Sequence, residues 1–191
     1  MSDDVATILG ELQQDHRNMS LLLDLLESEC NRLYHDETPD FELLHDIMQY
    51  MTVYPDAVHH PKEDRLYAEL KAARPDLTAG FQRIAIDHIS IAESGRRLRD
   101  DFASAESGTA VYRKSLVADA LRYVNSLRSH MQWEELDLFR RCRQMAAQGH
   151  RLIVDADVAS VRDPLFGKDV HSSYDRLFQR IKGAKGEKSS A

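Results

Sequence analysis

Apolar side chains recur along most of this chain at alternating steps of three and four, the pattern of helices that bury one face. The first seam runs through Val5, Ile8, Leu12, Met19, Leu23 and Leu26 and predicts a helix over residues 4–33. The polar stretch His35-Asp36-Glu37-Thr38-Pro39-Asp40 follows as a loop, with Thr38 or Asp40 placed to cap the next helix and Pro39 near its start. That second helix begins near Phe41, carries Leu44, Ile47, Met51, Tyr54 and Val58, and continues to Leu70. Pro55 and Pro61 disturb it. A proline inside a helix removes a hydrogen bond and clashes with the preceding turn, so a kink is predicted between Tyr54 and Lys62. A third helix over 78–103 carries Phe81, Ile84, Ile91, Gly95, Leu98 and Phe102. A fourth, over 110–147, carries Val117, Ala120, Val124, Leu127, Met131 and Leu138, and Gly149 closes it.

Four long helices joined by short loops predict an all-α, up-down-up-down four-helix bundle over residues 1–149. Residues 150–181 are expected to form a short C-terminal helical appendage. It comprises a short helix at 151–159, a turn at Asp163-Pro164-Leu165-Phe166-Gly167 and an amphipathic helix at 170–181. In that last helix Val170, Tyr174, Leu177, Phe178 and Ile181 share an apolar face, expected to pack back on the bundle. Residues 182–191 are rich in Gly, Lys and Ser and are expected to be a disordered tail.

Composition narrows the class. Hydrophobic residues make up 42% of 191, too many for a disordered chain. Only 8 Gly and 5 Pro occur, which argues against a turn-rich all-β fold. No apolar run reaches the ~18 residues of a membrane span. The N-terminal MSDDVATILG lacks a basic stretch followed by an apolar core, so no secretory signal is expected. Two cysteines, Cys30 and Cys142, are too few for a disulfide framework. A net charge of −7 does not suggest a nucleic-acid partner. The expectation is a cytoplasmic protein with no nucleic-acid or membrane partner; a homodimer is left open.

The nine histidines change the picture, because several stand in the seams. His16 occupies the first, between Leu12 and Met19, and His88 the third, between Ile84 and Ile91. Glu134 occupies the fourth, with His130 one turn before it, and His59 and Glu63 form a second pair at the same spacing, with His60 between them. A buried, unpaired carboxylate costs several kcal/mol or more unless it binds a metal or a partner. A single seam histidine is ordinarily a hydrogen-bonded core residue, and a lone His-x-x-x-Glu pair a surface pair worth a few tenths of a kcal/mol. All four helices contribute here, at depths consistent with one layer nearer one end of the bundle. Imidazoles mixed with carboxylates suit Fe, Mn or Zn. Seven ligands are too many for one tetrahedral zinc, whereas five histidines and two bridging glutamates fit two metals. Pro61 leaves open whether His59, His60 or both face the layer.

With those residues in view, the chain resembles the hemerythrin-like, HHE cation-binding family. The matching elements are Asp15-His16, His59-His60-Pro61-Lys62-Glu63-Asp64, Asp87-His88 and His130-Met131-Gln132-Trp133-Glu134-Glu135, covering roughly residues 5–148. The resemblance implies a hemerythrin-like bundle around a non-heme centre of two iron ions (Fe2+/Fe3+), bridged by carboxylates and an oxo or hydroxo group; Mn or Zn is compatible with the same donors. It implies His16, His59, His60, Glu63, His88, His130 and Glu134 as metal ligands. It also implies a small diatomic ligand, O2 or NO, bound for sensing, storage or delivery. The alternatives are a redox enzyme acting on peroxide or NO, and a metal-free helical interaction or dimerisation module. Two departures separate the chain from the oxygen carriers and argue against reversible oxygen carriage. Ala92 stands where they place a second third-helix His, and the last carboxylate is Glu134, four residues after His130 rather than five.

The remaining candidates read as structural. Glu42 and His45 form one Glu-x-x-His pair, where ferritin-like bundles need two, and are expected to be a surface pair. His35, His150 and His171 are expected to be exposed. Asp15 and Asp87 adjoin seam histidines but point about 100° away from them along the helix, which makes them poor partners for those residues. Tyr54, Tyr123 and Trp133 are expected in the core or beside the metal layer. Cys30 and Cys142 are expected to be buried thiols.

Overall fold

The computed structural model describes residues 5–149 and 163–188. Helix α1 spans Val5–Tyr34. Helix α2, Phe41–Tyr54, passes without a break through a π-helical turn at Pro55–His59 into α3, His60–Ala73. Helix α4 spans Arg83–Glu106. Helix α5, Arg113–Trp133, passes through a second π turn at Glu134–Leu138 into α6, Phe139–Ala147. Helix α7, Asp175–Lys188, follows a short 3-10 turn at Ser172–Tyr174. The protein is all-α, as its seams predict. Among the described residues no helix is long and apolar enough to cross a membrane.

Asp40 caps α2 by accepting the Leu43 N–H at 3.0 Å. Two boundaries differ from the sequence expectation. Residues 78–82 form turns held by Thr78, whose carbonyl accepts the Phe81 N–H, so α4 starts later than periodicity suggests. Helix α7 starts at Asp175 and runs past Ile181. The short helix expected at 151–159 lies outside the described residues.

Four rods, α1, α2–α3, α4 and α5–α6, close a ring in which α1 touches α2 and α5, and α4 touches the same two. Gly95 lets α4 approach closely: a Cβ there would sit 3.0 Å from Thr52 Cγ2 and 3.1 Å from Tyr123 Cε2. The core is split in two. One apolar cluster joins Met19, Leu22, Leu23, Leu44, Ile47, Ile91, Leu98 and Val124. The other joins Ile8, Leu12, Leu66, Phe81, Ile84, Leu138 and Phe139. Ile84 and Ile91 fall on opposite sides of a layer of buried polar residues that separates the two.

Helix α7 lies against α2, with Tyr174, Leu177 and Ile181 buried in the larger cluster. The preceding turn is organised by Asp163. Its carboxylate accepts the N–H groups of Leu165 and Phe166, at 2.8 and 2.9 Å, and the Tyr50 hydroxyl at 2.9 Å. Arg176 pairs with Glu42 and Asp46, and Arg180 with Asp40. Glu42 is thereby committed to Arg176, and His45 faces Glu106 at 3.6 Å, so the Glu-x-x-His spacing is not a pair.

Candidate metal centre

The polar layer is supplied by all four rods. His16 comes from α1, His59, His60 and Glu63 from the second rod, His88 from α4, and His130 and Glu134 from the fourth. All seven are buried, and both glutamates are fully so. The two π turns sit at the two His-x-x-x-Glu spacings. At Pro61 the chain has no N–H to donate, and the preceding π turn, closed by the His60 N–H on the Pro55 carbonyl, absorbs the irregularity that a regular helix would have shown as a break. The expected kink is therefore a widened turn. It leaves His59 3.2 Å from Glu63 and turns His60 inward as well.

The side chains gather into two overlapping sets. His16, His59, Glu63 and Glu134 place one ligand atom each within 4.8 Å of one another, and so do Glu63, His88, His130 and Glu134. His60 joins His88 and His130 in a third such group, stacked on the His88 ring at a centroid distance of 4.0 Å. The glutamates belong to both ends. Glu63 turns Oε1 toward His16 and His59, at 3.4 and 3.2 Å, and Oε2 toward His88 at 3.5 Å. Glu134 turns Oε2 toward His16 at 3.6 Å, and Oε1 toward His130 and His88, at 3.0 and 3.5 Å. None of these four oxygens has a hydrogen-bond donor, and neither do the Nε2 atoms of His88 and His130. Buried carboxylate oxygens without donors are costly, and a metal cation is what this donor set fits.

An outer ring of carboxylates faces the other nitrogen of every histidine. Glu135 lies 2.9 Å from His16 Nδ1, Asp15 3.1 Å from His59 Nδ1, and Asp56 3.3 Å from His60 Nδ1. Asp87 lies 3.4 Å from His130 Nδ1, and Asp64 3.6 Å from His88 Nδ1. A carboxylate at Nδ1 holds the proton there and leaves the Nε2 lone pair for a metal. Asp15 and Asp87 are indeed poor partners for the histidines they adjoin; each serves the histidine of a facing helix. Asp15 also accepts the Tyr54 hydroxyl at 3.2 Å. Sequence reasoning judged Asp15 and Asp87 only against the histidines they adjoin, and singled out no role for Asp56, Asp64 or Glu135. The available signal was the acidic neighbour of His16, Glu63, His88 and Glu134, which a step of about 100° turns toward the next helix.

Phe139 stacks on His16 at 5.5 Å, giving this end of the layer an apolar wall. Beside it a surface groove between α1 and α5, lined by Ser20, Leu21, Met131 and Glu135, reaches the edge of His16. Tyr123 is core, and Trp133 packs on Phe81 away from the layer. His35 and His171 are exposed, and His150 lies outside the described residues. Burial pushes both cysteine thiols up to about 12, which keeps them protonated and unreactive.

A fully helical bundle with a buried His/Glu layer defines a class, the helical metal-binding bundles. Residues 7–154 match the model of the hemerythrin HHE cation binding domain, and the chain belongs to that family. No match was found among curated proteins or among solved structures.

Without metal, the layer is a set of opposed charges. Burial works to lower the His59 pKa, but the charge of Glu63, 3.2 Å away, and the hydrogen bond with Asp15 override it and push it up to about 10. His88 is likewise pushed up to about 11: burial opposes this, and Asp64, Glu134 and Glu63 outweigh it. A raised folded-state pKa stabilises fully below the ordinary histidine value of 6.5 and is lost as pH rises through the folded value. The melting temperature of the metal-free protein is therefore expected to fall as pH rises from 6.5 toward 10. Metal must displace the same protons, so its affinity is expected to rise over that window. Melting curves of metal-free and metal-loaded protein across this range check both signs.

Asp15→Ala is expected to lower metal affinity by about 10–100-fold, because it frees the His59 ring and strands the Tyr54 hydroxyl. Competition against a chromophoric chelator measures the loss. Unchanged affinity shows that the outer ring does not set the ligands.

Proposed function

We propose that the layer is a site for two iron ions, which Glu63 and Glu134 would hold in common, with His60, His88 and His130 at one end and His16 and His59 at the other. The observation that carries this reading is the pair of fully buried glutamates, each turning one undonated oxygen toward each group of histidines. The five Nδ1 carboxylates support it, because they orient every Nε2 for coordination. The end with two histidines offers one protein donor fewer, and the groove beside His16 lies there, which favours a small ligand binding at that end. When bound, iron supplies an electron-rich, open coordination position for O2 or NO. The protein supplies the apolar wall of Phe139, exclusion of bulk water, and carboxylates that hold protons on the ring nitrogens facing away from the metals. The function is thus binding of O2 or NO for sensing, storage or delivery.

Anaerobic loading with ferrous iron, elemental analysis, and titration with NO and O2 followed by absorbance test the proposal. About two irons per chain and a saturable spectral change with either gas support it. Absence of stoichiometric iron rejects it. Two irons with no gas binding but rapid peroxide consumption select the enzymatic alternative.

A further inference from the structure

Tyr54 donates its hydroxyl to Asp15 at 3.2 Å, and the other oxygen of Asp15 faces His59 Nδ1 at 3.1 Å. On the other side, the Tyr54 ring stacks on Tyr50 with centroids 5.4 Å apart and planes 18° from parallel. Tyr50 donates its hydroxyl to Asp163 at 2.9 Å and meets Tyr174 edge-on at 5.7 Å. Tyr50 is fully buried, Tyr54 is 4% exposed, and Tyr174, beneath the start of α7, is 8% exposed. Three phenol rings in van der Waals contact thus run from the polar layer toward the outside. The two inner ones each have a carboxylate to take their proton.

A buried tyrosine is not an efficient hydrophobic core residue, because its hydroxyl must be satisfied. Here two consecutive rings meet that demand with carboxylates, where phenylalanine would fill the same space without a polar group. A phenol gives up an electron readily only when its proton can leave at the same time, and a hydrogen bond to a carboxylate provides for that. Ring contact provides the electronic coupling for the next step.

We propose that Tyr54, Tyr50 and Tyr174 form a one-electron path between the metal layer and the surface, along which oxidising equivalents from a hydroperoxide are drawn off the ligand histidines. This rests on the metal reading above. In the net reaction, one hydrogen peroxide and two tyrosines give two waters and two tyrosyl radicals. The O–O bond breaks, and each phenol loses one electron and one proton. Tyr54 passes its proton to Asp15 as its electron leaves. When Tyr50 supplies an electron in turn, the proton returns from Asp15 to Tyr54, and Tyr50 hands its own proton to Asp163. Tyr174 repeats the exchange at the outer end, releasing its proton to water. An enediol reductant such as ascorbate then returns two hydrogen atoms and is itself oxidised to the diketone.

The test uses the full chain loaded with iron and oxidised to the ferric state, its metal content measured before hydrogen peroxide is added and the sample frozen within milliseconds. Electron paramagnetic resonance is expected to show a tyrosyl radical in the wild type and in Tyr112→Phe, a control at an exposed ring. Tyr54→Phe is expected to lose at least nine-tenths of that signal with iron content unchanged. Tyr50→Phe, a second probe should the first fold poorly, is expected to do the same for the radical quenched by ascorbate. Tyr174→Phe is expected to keep the radical and to slow its quenching several-fold. A radical of equal size and quench rate in all these variants overturns the path, and so does the absence of a radical in wild type holding two irons. Wild type that binds no iron overturns the metal reading, and the path with it.

Discussion

Holding free ferrous iron at about a hundredfold of its dissociation constant is expected to raise the melting temperature of the protein by about 10–20 °C over the metal-free form. A ligand that binds only the folded chain stabilises it by about 2.7 kcal/mol at a hundredfold excess over its dissociation constant, so two sites contribute about 5 kcal/mol. In a domain of this size each kcal/mol shifts the midpoint by about 2–4 °C. The gain should be large because the site is made by folding: its seven inner residues come from four rods and are scattered in the unfolded chain. A strong chelator should reverse it. His88→Ala should abolish most of the gain, since His88 faces both glutamates. A bundle that acts without metal behaves differently. Its melting temperature does not respond to iron, and His88→Ala leaves it unchanged or raised.

Deleting the chain beyond Gly167 is expected to lower the melting temperature by about 5–15 °C, corresponding to a net loss of about 2–4 kcal/mol. The deletion removes the buried side chains of Tyr174, Leu177 and Ile181 and uncovers part of α2. Each such side chain contributes about 1.5–3 kcal/mol before the entropy of ordering the segment is subtracted. The exposed pairs of Arg176 and Arg180 add little, so Arg176→Ala should cost about 1 kcal/mol at most. Thermal melts of the truncated and point variants, both metal-free, separate apolar burial from surface charge. Truncation that leaves the midpoint unchanged shows that α7 does not support the bundle.

The sequence by itself determined the helices and the inner layer. A helix repeats its neighbours every 3.6 residues, so a histidine or glutamate that replaces an apolar residue in a seam is placed in the core by local geometry alone. That reasoning reaches His16, His88 and Glu134 directly, and His59, Glu63 and His130 through the i, i+4 spacing. It stops where an interaction joins two helices. Asp15, Asp56, Asp64, Asp87 and Glu135 lie off the seams, and four of the five meet a histidine from another rod. Which residue they meet depends on the axial register of the helices, and that is set by the packing of the whole core. The ambiguity of His59 and His60 was also tertiary. A regular helix separates neighbours by about 100°, and only the wider turn at Pro55–His59, held between its packed flanks, brings both inward. Asp163 lies far along the chain from Tyr50 and Tyr54, and nothing local announces that its turn closes over them. Periodicity is a property of one helix; the outer carboxylates, the glutamate orientations and the tyrosine stack are properties of how helices sit against one another.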